Sequence, residues 1–349
     1  MKITLSRFAA TAIVLAVLTM AATGRANAQD NKCSHSITAC GCTISLAGKY
    51  QVPIDIFGFQ GLTLKSGCID INVSNVKLTV NGAIVGPSVN SCPNPPSPLT
   101  RGARQPISKE DRESAMRKVL PRYPDDGSGP NLIGIHVLPG ISNVTLNFGG
   151  EDVCGWTYGV ESEGANVSIS TMGTYDNNVG LLLNNATANS CLFCDAEFNF
   201  TGVQISGGSG NSYTDGSGDN NLQYGFWVYG SSGNKFTNNF ANYNFIAGFY
   251  LGCAADGEYA RSITCPTPTT GNTLVQNTAG DNGDLPYTPG FGIAVERKSL
   301  YNVVQNNTTQ DSAFNMYNET LDIVDGNGNC VYNTYKNNNY QTKQPRCIH

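Results

Sequence analysis

The sequence predicts an all-β protein, a single-stranded right-handed parallel β-helix of about 9–10 coils with 22–23 residues in each coil. The first observation is an Asn that opens a short apolar segment and returns after 23, 23, 22 and 23 residues, at Asn143, Asn166, Asn189, Asn211 and Asn234. The second is a Gly before an apolar strand, which keeps nearly the same step at Gly159, Gly180, Gly202, Gly225 and Gly248. The third is the composition, since 39 Gly and only 13% charged residues suit a turn-rich β protein better than a helical one.

Each repeat combines three short apolar strands with turn residues between them. Such coils bury little surface alone and are stable only when stacked, which predicts a rod roughly 45 Å long at about 4.8 Å per coil. The Asn marker continues after insertions at Asn272, Asn302 and Asn329 and appears early at Asn75. Outside one short segment, no 3.6-residue period competes with this pattern.

The abundant Asn are predicted to be structural. Ten residues after the marker, one position of successive coils holds Asp176, Asn199, Asn221, Asn244 and Asn282. Asn accepts the left-handed backbone of a tight bend, and stacked Asn side chains bond from one coil to the next. The pattern therefore predicts Asn ladders at the bends rather than a polar binding site.

Residues 1–28 are predicted to be a cleaved signal peptide. Lys2 and Arg7 give a charged start, residues 9–20 are apolar, and residues 26–28 read Ala-Asn-Ala, a small-residue cleavage motif. We expect a mature chain that is secreted or periplasmic and has no membrane span. The domains that we expect are an N-terminal cap at residues 29–47, a β-helix at residues 48–340 and a tail at residues 341–349.

Twelve Cys, all after the leader, predict disulfides in an exported chain. The local pairs that we expect are Cys253 with Cys265, and Cys330 with Cys347, which ties the tail. Four more Cys are expected to join the N-terminal end: Cys33, Cys40, Cys42 and Cys68. Cys191 and Cys194 have redox-motif spacing, but nothing around them resembles the βαβ unit that such a motif uses.

The charge of the chain limits its partners. Three of the 21 basic residues and none of the 26 acidic ones lie in the leader, so its removal changes the net charge from −5 to about −8. An acidic protein is repelled by nucleic acid. We expect no nucleic-acid partner and a monomer.

The N-terminal stretch at residues 40–87 carries a resemblance to a known superfamily. Its Gly48-Lys-Tyr start, its Cys68-Ile-Asp-Ile strand and its Asn81-Gly turn resemble the pectin-lyase-like superfamily of secreted bacterial right-handed β-helix proteins. The resemblance implies the fold but not one function, because the superfamily includes polysaccharide lyases, hydrolases, epimerases, adhesins and a periplasmic copper-binding family. The motifs of its polygalacturonases, alginate epimerases and pectate lyases are absent from this sequence.

Insertions interrupt the repeat, at residues 88–130, 253–270 and 284–290. In the first of them, Ser108 and Asp111 resemble a helix cap, and residues 109–120 are predicted to form a short helix. Seven of the 18 basic residues of the mature chain lie in this insertion. Two interpretations stay open, a solvated loop and a basic flap over a groove that holds an anionic polymer.

An aromatic outward face is the first candidate site. Because side chains alternate along a strand, Trp227 and Tyr229 are expected to point outward, with Tyr250 beside Trp227 one coil later. Flat aromatic rings can stack on sugars, so these three residues are predicted substrate contacts. The alternative is a satellite core covered by the insertion at residues 253–270.

Charged residues extend this face. The same outward columns carry Glu161 and Glu163 several coils earlier and Glu296 one coil later, and Glu296 is a further predicted substrate contact. Arg297 and Lys298 follow at the next turn and are predicted catalytic residues, because a lyase must neutralise the carboxylate of an acidic sugar.

A second candidate site consists of four acidic residues on two adjacent coils, Asp195, Glu197, Asp215 and Asp219. Glu197 and Asp219 are expected to share a column, about 4.8 Å apart, where two like charges are unfavourable unless they share a proton or a cation. Three interpretations stay open: an acid and base for glycoside hydrolysis among Asp195, Glu197 and Asp219, a Ca²⁺ site built by all four, and a solvated acidic edge.

These features predict a secreted β-helix protein that binds or processes a polysaccharide, as an acidic-glycan lyase or a hydrolase. The alternative is a non-catalytic surface or periplasmic β-helix, which the missing motifs favour. A second alternative, implied by the resemblance, is a periplasmic copper-binding maturation factor, for which five Met and three His are a poor supply of ligands. The chain has only three His, His35, His136 and His349, so few residues could supply chemistry that needs an Asp–His pair.

Overall fold

The computed structural model describes residues 32–58, 67–89, 92, 132–150, 152–252, 267–283, 290–309, 321–328 and 330–348. In these ranges every regular element is a β-strand, and no helix is long and apolar enough to cross a membrane. The chain passes through three parallel sheets in turn and returns to the first sheet one coil later. This architecture confirms the predicted right-handed parallel β-helix.

The first sheet is the longest. Its described strands, in spatial order, are β1 (Cys42–Ile44), β4 (Gly67–Ile71), β7 (Ile133–Val137), β10 (Tyr158–Ser162), β13 (Val179–Asn184), β16 (Thr201–Ser206), β18 (Tyr224–Tyr229), β20 (Ala247–Leu251), β22 (Phe291–Val295), β25 (Leu321–Asp325) and β28 (Lys343–Gln344).

The second sheet follows the first around each coil. Its described strands are β2 (Gly48–Val52), β5 (Val76–Val80), β8 (Ser142–Phe148), β11 (Ala165–Ser170), β14 (Ser190–Leu192), β17 (Ser212–Thr214), β19 (Lys235–Thr237), β21 (Thr273–Val275), β23 (Val303–Gln305) and β26 (Thr334–Lys336).

The third face carries shorter strands. They are β3 (Ile56–Phe57), β6 (Ile84–Val85), β9 (Asp152–Cys154), β12 (Gly173–Tyr175) and β15 (Asp195–Ala196), with a separate pair β24 (Thr308–Thr309) and β27 (Asn339–Tyr340) further along. Isolated bridges from Asp195 through Ser217, Phe240 and Thr278 to Thr308 connect the two groups along one face.

Parallel pairing holds equivalent residues of successive coils in columns. One inward column of the first sheet contains Val160, Leu181, Val203, Phe226 and Phe249, and all five side chains are fully buried. Because stacked strands lie about 4.8 Å apart, such a column is a continuous core that no single coil could build.

Buried Asn form three ladders at the bends. The side-chain oxygen of one rung accepts the backbone N–H of the rung one coil earlier, as Asn234 Oδ1 does from Asn211 at 3.0 Å. The ladders contain Asn189, Asn211, Asn234, Asn272, Asn302 and Asn333; Asn239, Asn277, Asn307 and Asn338; and Asn177, Asn199, Asn221, Asn244 and Asn282. Since buried polar groups require partners, these bonds make the Asn structural, as predicted.

The predicted register of the Asn marker is wrong by one residue in the earlier coils. Asn166 is an exposed bend residue with a φ of 53°, and the ladder position beside it holds Val167. One turn later the rung is Asn177, and Asp176 is the bend residue, with a φ of 52°. Bend and rung are adjacent and Asn suits both, so the spacing of Asn alone cannot distinguish them.

Disulfides join several coils. Those within the described residues join Cys33 to Cys42, Cys40 to Cys68, Cys92 to Cys154, Cys191 to Cys194 and Cys330 to Cys347. The N-terminal and C-terminal bonds were predicted, whereas the bond that ties Cys92 to β9 was not. Five disulfides favour an extracellular or periplasmic protein.

Some predictions lie outside the described residues. These are the signal peptide at residues 1–28, the helix at residues 109–120 with the basic flap, the Cys253–Cys265 pair and the marker Asn329.

Candidate functional site

The outward side chains of the first sheet build a polar cluster. In β4, β7 and β10 one outward residue lies between two core residues, and pairing stacks Asp70, His136 and Glu161 in one column. Glu163 follows Glu161 by two residues and therefore points the same way. Asn184, one coil later, contacts both Glu side chains. We call these five residues the His136 cluster.

Short polar contacts connect the His136 cluster. His136 Nε2 lies 3.1 Å from Glu163 Oε2, and His136 Nδ1 lies 3.6 Å from Asp70 Oδ1, which is a charge contact rather than a hydrogen bond. Asn184 Nδ2 donates to Glu161 Oε1 and Glu163 Oε1, at 3.2 Å each. His136 and Glu161 are each 7% exposed, whereas the Glu163 side chain is 23% exposed. Solvent thus reaches the cluster at Glu163.

Burial and charge act together on the titrating groups. Burial lowers the pKa of His136, but the contacts with Asp70 and Glu163 and the charge of Glu161 outweigh it, so the pKa of His136 lies above its ordinary value. Burial raises the pKa of Glu161, although the charge of His136 and the bond from Asn184 partly oppose it. Glu161 therefore holds its proton to a higher pH than an exposed Glu does.

Two kinds of chemistry suit this arrangement. A buried acid beside a more exposed carboxyl group is an arrangement used for proton transfer. In addition, ligand atoms of His136, Glu161 and Glu163 all lie within 4.8 Å of one another, which is close enough to hold a metal ion.

Sequence reasoning missed this cluster. It named Glu161 and Glu163 only as parts of a long outward face, and the insertion at residues 88–130 hid the pairing of β4 with β7. Sequence reasoning found few His for chemistry that needs an Asp–His pair, and it did not anticipate that stacking places Asp70 beside His136. The signal was a charged residue between two core positions, which recurs at residues 69–71, 135–137 and 160–162.

Part of the aromatic face belongs to a second buried hydrophobic cluster, which contains Tyr224 and Tyr250 and against which Trp227 packs. Trp227 and Tyr250 share a column, as predicted. However, Tyr250 is only 4% exposed, and its ring centroid lies 5.0 Å from that of Tyr224. The prediction that Tyr250 offers an exposed surface to a substrate is therefore wrong. Trp227, which donates its indole N–H to Gly252 O at 3.0 Å, and Tyr229 remain partly exposed.

Glu296 and its basic neighbours lie far along the same face. The Glu296 side chain packs over Gly252. A Cβ added at Gly252 would lie 2.0 Å from Glu296 Oε2. Arg297 and Lys298 are exposed at the turn after β22. Five coils, or about 24 Å, separate this turn from Glu161, so neither basic residue reaches the His136 cluster.

Part of the acidic group on the third face is buried. The bridge between Asp195 and Ser217 places Glu197 and Asp219 in one column, as predicted. Ser217 Oγ lies 2.9 Å from Asp195 Oδ1 and 2.6 Å from Glu197 Oε1. Glu197 is 0% exposed and Asp219 is 5% exposed, so neither is part of a solvated edge or meets a polymer from solvent.

The predicted Ca²⁺ ligands do not converge. Asp215 turns away to Asn238, whose Nδ2 donates to Asp215 Oδ1 at 2.5 Å. Asp219 Oδ1 accepts the backbone N–H of Asn242 at 2.6 Å. Within the described part of the chain, the residues whose metal-ligand atoms meet are His136, Glu161 and Glu163, not Asp195, Glu197, Asp215 and Asp219.

Comparison with known proteins finds likeness in structure alone. Pectate lyase Pel9A is 14% identical, with a TM-score of 0.48 over 86% of this chain and 70% of that one. The A-module of a mannuronan C-5 epimerase from Azotobacter vinelandii is 13% identical, with a TM-score of 0.45 over 88% and 86%. The Dettilon tailspike protein is 11% identical, with a TM-score of 0.45 over 86% and 60%. No protein-family model and no curated protein matches the sequence.

Proposed function

We propose that this protein is a polysaccharide-processing enzyme that hydrolyses a glycosidic bond at the His136 cluster. One observation carries the proposal. Glu161 is buried and has a raised pKa, whereas Glu163 is more exposed and is hydrogen-bonded by His136 and Asn184. Two carboxyl groups in unlike environments are the machinery that glycoside hydrolysis uses.

Each residue of the cluster is assigned a role. Glu161 donates its proton to the leaving oxygen, and Glu163 attacks the sugar. Their oxygens lie within 4.8 Å of each other, which is nearer to the roughly 5–5.5 Å of retaining enzymes than to the about 6.5–9.5 Å of inverting ones. His136 orients Glu163, and Asp70 orients His136.

The charge of the cluster favours a neutral glycan over an acidic one. Three carboxyl groups lie around one imidazole, and among the described residues Asp70 and Glu163 pair with His136 rather than with a Lys or Arg. A uronate would be repelled here, and a lyase needs a cation beside that carboxylate. Hydrolysis is therefore preferred to β-elimination.

Partly exposed side chains lead away from the cluster along the first sheet. Gln204 lies two coils after Glu161, and Trp227 and Tyr229 lie three coils after it, or roughly 14 Å along the rod. We assign Trp227 and Tyr229 to sugar contacts. Glu296, with Arg297 and Lys298, would meet a longer chain at its far end.

Hydrolysis by the mature chain, residues 29–349, tests this proposal on a panel of neutral and uronic polysaccharides. We expect new reducing ends from a neutral glycan, no unsaturated ends by absorbance, and retained anomeric configuration by NMR. Glu161→Gln and Glu163→Gln should each lower kcat by about 10²–10⁴-fold, because each removes a proton-transfer or nucleophilic group. Asp281→Asn, which changes an exposed acid at a bend, is the matched control.

Other outcomes would reject the proposal. Loss of activity in Asp195→Asn but not in Glu161→Gln would move catalysis to the acidic group of the third face. Unsaturated products would indicate a lyase. Glycan binding without any product would support the non-catalytic alternative.

A further inference from the structure

We propose that His136, Glu161 and Glu163 form a binding site for a divalent transition-metal ion, with Asp70 orienting the imidazole. The three ligand atoms lie within 4.8 Å of one another. His136 and Glu161 lie on the paired strands β7 and β10, and Glu163 follows β10 directly, with its backbone N–H donating to Val137 O at 2.9 Å. Parallel pairing fixes the backbones of these strands, so the ligands start from a rigid base.

The donor set selects the kind of ion. One imidazole nitrogen and two carboxylate oxygens suit borderline ions such as Zn²⁺ or Co²⁺. Ca²⁺ prefers six to eight oxygen ligands, and a site containing an imidazole is a poor match for it. This separates the site from the Ca²⁺ site expected at Asp195, Glu197, Asp215 and Asp219.

The second nitrogen of His136 supports the assignment independently. His136 Nδ1 is buried and has no hydrogen-bond partner, and the nearest carboxylate oxygen is Asp70 Oδ1 at 3.6 Å. With the ring proton on Nδ1, the nitrogen that faces Asp70, the lone pair of Nε2 points to the side occupied by Glu163. Metal-binding His residues are commonly oriented in this way by a carboxylate.

Charge balance points in the same direction. Asp70, Glu161 and Glu163 lie around one imidazole in a mostly buried position. Repulsion among like charges is relieved by a shared cation. Asn184 donates to Oε1 of each Glu, so the oxygens placed for an ion are Glu161 Oε2 and Glu163 Oε2, the latter 3.1 Å from His136 Nε2.

The proposal of a metal site does not depend on glycan cleavage. The expected effect of the metal on cleavage does rest on the proposed function. An ion would occupy the atoms that donate a proton and attack the sugar. Bound Zn²⁺ should therefore inhibit hydrolysis, and a chelator should restore it.

Calorimetric titration of Zn²⁺ into the metal-free, tag-free mature chain tests the site directly. We expect one ion per chain, and an absorption spectrum of few-ligand N/O coordination when Co²⁺ is used instead. His136→Gln should weaken Zn²⁺ binding by at least 100-fold, and Asp70→Asn by about 10–100-fold. His35→Gln and Asp281→Asn are matched controls that should bind like the wild type, and near-UV circular dichroism checks that every variant is folded.

Equal Zn²⁺ affinity in the wild type and in His136→Gln would overturn the site, as would Ca²⁺ binding as tight as that of Zn²⁺. The two proposals fail separately. Zn²⁺ binding without glycan cleavage rejects the proposed function alone. Cleavage that depends on Glu161, without Zn²⁺ binding, rejects the metal site alone.

Discussion

His136 shows how one side chain acquires its chemistry from the coils on either side. Asp70 lies one coil before it and Glu161 one coil after it, both in its own column. An isolated His titrates near pH 6.5, and an outward position on a strand has no reason to alter that value. Here the neighbouring carboxylates raise the pKa despite burial, so the property belongs to the stack rather than to the residue.

We expect the metal-free protein to lose stability as the pH rises above about 6.5, the pKa of an unfolded His. The folded state binds the His136 proton more tightly than the unfolded chain does, so this stabilisation is complete below the unfolded pKa and is lost as the pH passes the raised folded pKa. Glu161, whose folded pKa is also raised, acts in the same direction from about pH 4.3 upward. His136→Gln should flatten the fall of the thermal midpoint above about pH 6.5.

Thermal unfolding followed by circular dichroism, with a chelator present, measures this slope. His35→Gln is the matched control, because His35 lies at the exposed N-terminal end. If the thermal midpoint of His136→Gln falls with pH as steeply as that of the wild type, the titration of His136 does not contribute to the pH dependence of stability.

At the scale of the element, the strands of the first sheet pack against the bends, because a column of Gly in the strands lies beside a column of buried Asn at the bends. The Gly column of the first sheet, from Gly159 to Gly248, stacks beside the third Asn ladder. A Cβ at Gly225 would lie 2.4 Å from Gly218 O, 2.8 Å from Gly248 O and 2.9 Å from Asn244 Nδ2. Because Gly has no Cβ, the Gly column leaves room for the side chains of the buried Asn ladder.

Gly225→Ala should lower the free energy of unfolding by about 1–3 kcal/mol, because the added methyl group overpacks the ladder. Urea denaturation measures the change. Gly210→Asn is the control. Gly210 has a φ of 68° with open space around it, and Asn166 occupies the same bend column two coils earlier, so Asn should be tolerated. A Gly225→Ala protein as stable as the wild type would show that the ladder has room to move.

At the scale of the whole molecule, the rod is a sum of coils that contact only their neighbours. Residues 211–233 are one complete coil, since Tyr213 pairs with Phe236 and Phe226 with Phe249 at the same offset. Deleting this coil brings Gly210 before Asn234 and leaves every column in register.

The deletion of residues 211–233 should fold, with a lower thermal midpoint, because one stacking interface is lost. Deleting residues 211–222 removes half a coil and should abolish folding, because it moves core residues out of their columns. Circular dichroism and calorimetry compare the two. If both variants unfold alike, the coils are not interchangeable units.

Much of this fold was predictable because its rules are local. The Gly step and the later Asn rungs were correct. The earlier rungs were placed one residue too soon, because a bend Asn such as Asn166 and a ladder Asn such as Asn189 obey the same preference. Of the candidate site, the sequence indicated Glu161 and Glu163 but not their partners.

The sequence by itself determined the coil: its length, its three strands, its inward and outward positions and the structural use of Asn. These follow from side-chain alternation and from bend chemistry, which act over a few residues. Only the tertiary structure decided which coils are neighbours across an insertion and which outward residues are covered. Asp70 meets His136, and Tyr250 is buried, because stacking contacts depend on the path of the whole chain and not on any periodic pattern within it.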